Sequence, residues 1–180
     1  MLSLMAILVI DFSYQTGALF LIDTEGNILK TTFASKLSSL SLEIHHLIAG
    51  TPLKAIALPT GPGAFTPLRL TASAAFALSL ALNIPLIPYP SFLGLVPSSP
   101  TSSNQTLFLD ARSQSAFTTT FSYLPDNQIL FSPVTIVPSP VEHTYLPQPE
   151  QLAPHILRLF HHQAFSTPSL TELHYFKHPR

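Results

Sequence analysis

The sequence predicts an α/β fold in two lobes, and three observations predict it. Apolar, β-branched runs and helical periodicities follow one another over the first half as strand, strand, strand, helix, strand, helix, strand. A polar, Pro/Ser-rich stretch at 97–104 then interrupts the pattern and divides the chain into 1–98 and 99–180. The second set opens as the first does, as strand, turn, strand. An aspartate closes the first strand of each set, Asp11 and Asp110.

Residues 4–12 are an apolar run with β-branched Ile7, Val9 and Ile10, which predicts a central strand. Gln15-Thr16-Gly17 turns the chain, 18–22 returns, Asp23-Thr24-Glu25-Gly26-Asn27 turns it again, and 28–33 completes an antiparallel meander. Leu37, Leu40, Ile44, Leu47 and Ile48 recur at helical spacing, with Ser35 as the cap and Gly50 as the stop. A strand at 54–58 leads through a glycine loop into a helix at 67–82, and 83–88 is a short strand ended by proline. In the second set, strands at 107–110 and 116–123 flank a turn at 111–115. Asp126-Asn127 turns into 129–131, and 134–137 is a further strand. After a long loop at 138–149, Leu152, Ile156, Leu157 and Phe160 give 151–160 the apolar side of a short amphipathic helix. Residues 173–177 alternate as a final strand.

The 180 residues are 46% hydrophobic and 9% charged, against about 25% charged in ordinary soluble domains. Such a chain buries a sizeable core and keeps apolar surface for a partner. A net charge of −1 offers no basic field to hold nucleic acid. The lack of cysteine removes disulfide and thiolate chemistry. The 18 prolines crowd 85–100 and 133–154, where they set rigid turns. Residues 1–10 are apolar, but no Lys or Arg precedes them, no small-residue cleavage site follows, and Asp11 ends the run. They read as a buried strand. The helix at 67–82 is shorter than the roughly 20 residues of a membrane span and carries Arg69, Thr71, Ser73 and Ser79. The expectation is a cytoplasmic protein without a membrane partner.

The most specific segment is Gly61-Pro62-Gly63-Ala64-Phe65-Thr66-Pro67-Leu68-Arg69. Gly61 and Gly63 allow backbone angles or close approaches that a Cβ forbids. The Thr66 hydroxyl is expected to cap the helix, and Pro67 suits its first turn. The loop is not a P-loop, because no Lys-Ser or Lys-Thr follows the second glycine, and it lacks the third glycine of a dinucleotide fingerprint. It reads as a tight strand-to-helix corner. Arg69 meets the positive end of the helix dipole, so it needs a partner, with Asp11 and Asp110 as candidates and a solvated guanidinium as the alternative. Asp11 itself reads as a strand-end residue accepting hydrogen bonds from the following turn. Phe12 and Tyr14 make that turn bulky for a phosphate cradle. The neighbouring pairs His45-His46 and His161-His162 point about 100° apart on a helix and do not chelate one ion. His174 and His178 have a helical ligand spacing on a segment that alternates like a strand. No Gly-x-Ser-x-Gly elbow supports serine hydrolase chemistry.

The element order, Asp11, the glycine loop and Asp110-Ala111-Arg112 together resemble the TsaB (YeaZ) family, whose loop reads approximately GPGSFTGLR and whose second hairpin carries DAR. The resemblance covers residues 4 to about 123, with Tyr175-Phe176-Lys177 a loose match to a family tail ending near YLR. It implies the actin-like ATPase fold of sugar kinases, Hsp70 and actin, in two lobes with mixed sheets, the second lobe here reduced. Under it, Asp11, Gly61, Gly63, Phe65, Thr66, Arg69, Asp110 and Arg112 are structural motif residues, and no catalytic, cofactor or metal residue is expected. Phe12 departs from the family pattern in place of a small polar residue, Pro67 in place of glycine, and Ser35-Lys36 near the usual His-Ser pair.

The resemblance also implies a non-catalytic subunit. It would bind and activate a TsaD-like catalytic partner, alongside a TsaE-like ATPase, in threonylcarbamoylation of the tRNA adenosine next to the anticodon, meeting tRNA only through the complex. The family's contact uses the two helices of the first lobe. The second helix here is apolar all round and needs cover on every side, the last of it from a partner helix or, alternatively, from the second lobe. The expected partner-binding residues are Leu37, Leu40, Ile44 and Leu47 on the first helix and Ala72, Ala75, Phe76 and Ser79 on the second. Two rival readings stand beside it. One is a small ATPase or kinase holding Mg²⁺–phosphate between Asp11 and Asp110. The other is a homodimer using the same helix pair on itself.

Overall fold

The structure is a computed structural model that describes residues 5–13, 16–34, 37–98, 105–112, 114–125, 127–138, 148–162 and 165. The first sheet contains β1 (Ala6–Asp11), β2 (Gly17–Asp23), β3 (Ile28–Ala34), β4 (Leu53–Pro59) and β5 (Leu86–Tyr89) in the order β3-β2-β1-β4-β5. β1 pairs antiparallel with β2 and parallel with β4, so the sheet is mixed. β1 is buried along its whole length, which explains its unbroken apolar run: a strand covered on both faces does not alternate.

Helices cover the two faces. α1 (Leu40–Ile48) follows a short 3-10 turn at Leu37–Ser39 and lies over β2 and β3, while α2 (Phe65–Leu82) lies over β4, β1 and β5. Both pack on the face made by Leu8, Ile10, Leu19, Leu21, Ile56 and Leu58. The opposite face, with Ile7, Val9, Phe20, Ile22, Ala55 and Ala57, is covered by α3 (Pro149–His161) through Leu152, Ala153 and Ile156. The sequence division at 98/99 groups this helix with the second lobe; the structure packs it on the first sheet.

The second sheet contains β6 (Gln105–Arg112), β7 (Ser115–Tyr123), β8 (Ile129–Phe131) and β9 (Thr135–Pro138), with β8 and β9 both pairing along β7. The mixed pairing expected of both sheets holds in the first, whereas the described strands of the second all pair antiparallel. A 3-10 segment at Ser91–Leu95, not foreseen from the sequence, joins the two cores. Its Phe92 packs with Leu107, Leu109, Phe117 and Phe121, and its Leu93 packs with the first sheet and α3.

Several boundaries differ from expectation. β6 runs on to Arg112, so the turn predicted at 111–115 is confined to its middle. The α2 helix begins at Phe65 with Ala64 as its N-cap, not Thr66: the Ala64 carbonyl already accepts the Leu68 N–H, and no side chain caps the end. Gly50 follows α1 at φ +74°, as a stop residue does. The Ser35 cap and the strand at 173–177 lie outside the described residues. At 18 residues α2 is long and apolar enough to cross a membrane by length and composition, yet its inner face is part of the protein core.

Candidate partner-binding face and the Asp11 corner

The end of β1, the glycine loop and the end of β5 meet at one corner. Asp11 is 0% exposed. Its Oδ1 accepts the Ser13 N–H at 3.0 Å and the Ser13 hydroxyl at 2.7 Å, and its Oδ2 accepts the Tyr89 hydroxyl at 3.0 Å. The Ser13 hydroxyl also lies 3.1 Å from that of Ser91. Burial is the leading influence on the Asp11 carboxyl and raises its pKa above the ordinary value; the bonds from Ser13 and Tyr89 act against it. The strand-end role expected of Asp11 is what the structure shows. Tyr89 and Ser91 were not foreseen, since nothing in the local pattern announces partners 78 residues away.

The glycine loop closes on the same corner. The Ala64 N–H donates to the Ser13 carbonyl at 2.8 Å, and a Cβ on Gly63 would stand 2.5 Å from that oxygen. Gly61 has φ +110° and its carbonyl accepts the Ser91 N–H at 2.9 Å. Phe12 is fully buried, and its ring fills the space beside Gly17. The corner is therefore filled by the protein's own backbone and rings. Arg69 does not pair with Asp11, whose oxygens are taken by Ser13 and Tyr89. Its guanidinium lies over the Phe65 ring, 4.2 Å from the centroid, one turn back along α2. Asp110 is half-buried opposite Ala116 on β7, and Arg112 pairs in register with Ser115.

Six of the eight residues expected to meet a partner are buried within the protein instead. Leu40, Ile44 and Leu47 on α1 and Ala72 and Ala75 on α2 belong to the core of the first sheet. Ala75 is 0% exposed. Ser79 is also buried and donates to the Ile84 carbonyl at 2.6 Å, closing the end of the helix. Phe76 is half-buried against the same core. Leu37 lies in the 3-10 turn before α1. Small residues let the sheet, not a foreign helix, approach α2. The outward stripe of α2 is Thr66, Arg69, Leu70, Ser73, Ala77, Leu80 and Ala81, with Leu80 73% exposed. On α1, Leu42 points outward at 56% exposure. Exposed leucines thus remain on both helices, Leu42 on α1 and Leu70 and Leu80 on α2, on a face of α2 turned about 100° from the row expected. Among the described residues no group of three or more His, Cys, Asp or Glu side chains is placed to hold a metal.

Two solved structures share this architecture. YeaZ from Pseudomonas aeruginosa superposes with a TM-score of 0.72 at 17% identity, over 91% of this chain and 96% of that one. An uncharacterized protein, described as similar to the peptidase YeaZ from Pseudomonas aeruginosa, superposes with a TM-score of 0.61 at 20% identity, over 78% of this chain and 70% of that one. No curated protein matches the sequence. The mixed sheet with its central β1, the aspartate at the end of that strand and the second hairpin thus define a protein of the actin-like ATPase fold. Within that class, the family model described as TsaD, tRNA N6-adenosine threonylcarbamoyltransferase, matches residues 44–173. The chain belongs to the TsaD family, and its fold is that of YeaZ (TsaB).

Proposed function

We propose that this chain is a non-catalytic, TsaB-like subunit that binds and activates a TsaD-like catalytic partner. The reaction served is threonylcarbamoylation of the tRNA adenosine next to the anticodon. The assembly acts in the cytoplasm with a TsaE-like ATPase, and tRNA meets this chain only through it. The observation that carries the reading is the set of exposed leucines on α1 and α2, with Leu42, Leu70 and Leu80 turned to solvent from helices whose inner faces are already buried. Full burial of a leucine is worth about 1.5–3 kcal/mol, and each of these, already part-buried, gains the corresponding fraction when shielded from water; a stable contact needs more than about 1,000 Å² in total. The Asp11 corner supports a binding role over bond chemistry. Both carboxyl oxygens already accept protein hydrogen bonds, and the Phe12 ring occupies the space beside Gly17.

The test is co-purification of the full chain with the TsaD-like partner. Leu80→Arg and Leu42→Arg each place a charge on an exposed helix face without entering the core. Both are expected to abolish co-elution while leaving the thermal melt of the isolated chain unchanged. Retention of the complex by both variants rejects this face. Micromolar heat of binding for ATP with Mg²⁺ on the isolated chain would favour the ATPase reading instead. A homodimer that Leu80→Arg splits, with no partner recovered, would favour self-association.

A further inference from the structure

A cleft of about 360 Å³ opens between α3, the segment after β5 and the turn into β8. Its lining shares no residue with the Asp11 hydrogen bonds, although Pro90 stands between Tyr89 and Ser91, and none with the exposed faces of α1 and α2, so it stands independently of the proposed partner. Its volume falls in the range of small-ligand sites, about 300–1,000 Å³. Leu93, Ile129, Phe131 and Leu159 give it apolar walls, and Arg158 with His155 gives it a polar floor. None of the described lining residues is acidic.

The guanidinium is held in place by neutral groups. His155 is 2% exposed, and its Nε2 donates to the Val96 carbonyl at 3.0 Å. Its Nδ1 is therefore the bare nitrogen, and it accepts an Arg158 N–H at 3.3 Å. A second Arg158 N–H donates to the Ser98 carbonyl at 2.8 Å, and the Tyr123 hydroxyl is a further hydrogen-bonding neighbour. A carbonyl, a neutral imidazole and a phenol orient the cation without cancelling its charge. A guanidinium has five donors, so N–H groups remain for a ligand. A fixed cation facing apolar walls selects a molecule with a charged end and a flat apolar body.

We propose that this cleft binds a small organic anion, with its carboxylate or phosphate on Arg158 and its apolar body between Phe131, Ile129, Leu93 and Leu159. The test titrates the ¹⁵N-labelled full chain with 2-naphthoate, 2-naphthyl phosphate and the uncharged 2-naphthamide, using calorimetry for affinity. One saturable site is expected, with amide shifts confined to 91–93, 127–131 and 155–162. At least one anion should bind ten times or more tighter than the amide, and the tighter of the two identifies the head group. Arg158→Gln should weaken the anions about tenfold and leave 2-naphthamide unchanged. His162→Glu, on the exposed rim, should weaken them as well while keeping every Arg158 contact. Leu80→Arg should leave the titration unaltered, which separates this site from the partner face. Equal affinity for the amide, shifts on α2 in place of the cleft, indifference to both cleft variants, or no saturable binding would overturn the proposal.

Discussion

Asp11 ends a strand that is dry on both faces, and its charge is buried with it. Its folded pKa lies above the unfolded value, so the folded state holds the proton more tightly. Its contribution to stability is therefore most favourable below the unfolded value and is lost as pH rises through the raised folded one. The cost of burying the carboxyl grows as pH rises above the unfolded value toward the raised folded one. Asp11→Asn keeps an acceptor for Ser13 and offers its amide to the Tyr89 hydroxyl oxygen, without the charge. It should be more stable than the parent in urea at pH 7, with the gap closing toward pH 4. Asp11→Ala removes the acceptor shared by three donors and should cost about 1–3 kcal/mol at both pH values. Equal losses in the two variants at pH 7 would show that the charge itself is needed. The strand-end aspartate and the close approach at Gly63 were legible because turn chemistry is local. Tyr89 and Ser91 were not, because they reach Asp11 and Ser13 only through the parallel pairing of β5 beside β4 and β1.

At the scale of the element, α2 explains both what the sequence revealed and what it hid. Its existence and rough span were plain from its composition, and the glycine loop marked its start only to within two residues, since the cap is Ala64 and not Thr66. Its rotation was not plain, because leucines and alanines on every side give the helix no polar stripe to fix its phase. Reading the small residues as a contact for a foreign helix put Ala72, Ala75 and Ser79 outside, whereas the twisted sheet needs them inside to let the helix come close. α1 was misread less in phase than in role: its periodic leucines are core, and the one between them, Leu42, is surface. The same helix carries a buried defect. Thr71 is fully buried, and its hydroxyl has no hydrogen-bond partner among the described residues. Replacing it with valine keeps the branched shape and removes a desolvated polar atom. Thr71→Val should raise the unfolding free energy by about 1 kcal/mol at unchanged m-value. A loss of stability would mean that the hydroxyl is satisfied after all.

For the whole molecule, the decisive contact is the return of α3 to the first sheet, which ties the end of the described chain to its beginning across both cores. The amphipathic stripe of α3 was legible, but the sheet it covers was not: stripes say that a face is buried, never against what. The return is pinned by His155, which donates to the Val96 carbonyl and accepts from Arg158. The groups facing the ring are thus the Val96 and Pro97 carbonyls and the Arg158 cation. Burial is the leading cause that lowers the imidazole pKa, with the nearby cation adding to it and the carbonyls opposing it. A histidine whose folded pKa is depressed adds stability above its unfolded value, about 6.5. That contribution is lost as pH falls from there toward the lowered folded value. Protonation would also turn the Arg158 acceptor into a donor and set two cations side by side. The protein should therefore lose stability in urea between pH 7.5 and pH 5.5. His155→Gln presents an N–H to Val96 and an oxygen to Arg158 with no proton to gain, so its stability should fall less over the same interval. Parallel pH profiles for the two proteins would show that His155 does not titrate and that α3 is held by its apolar face alone.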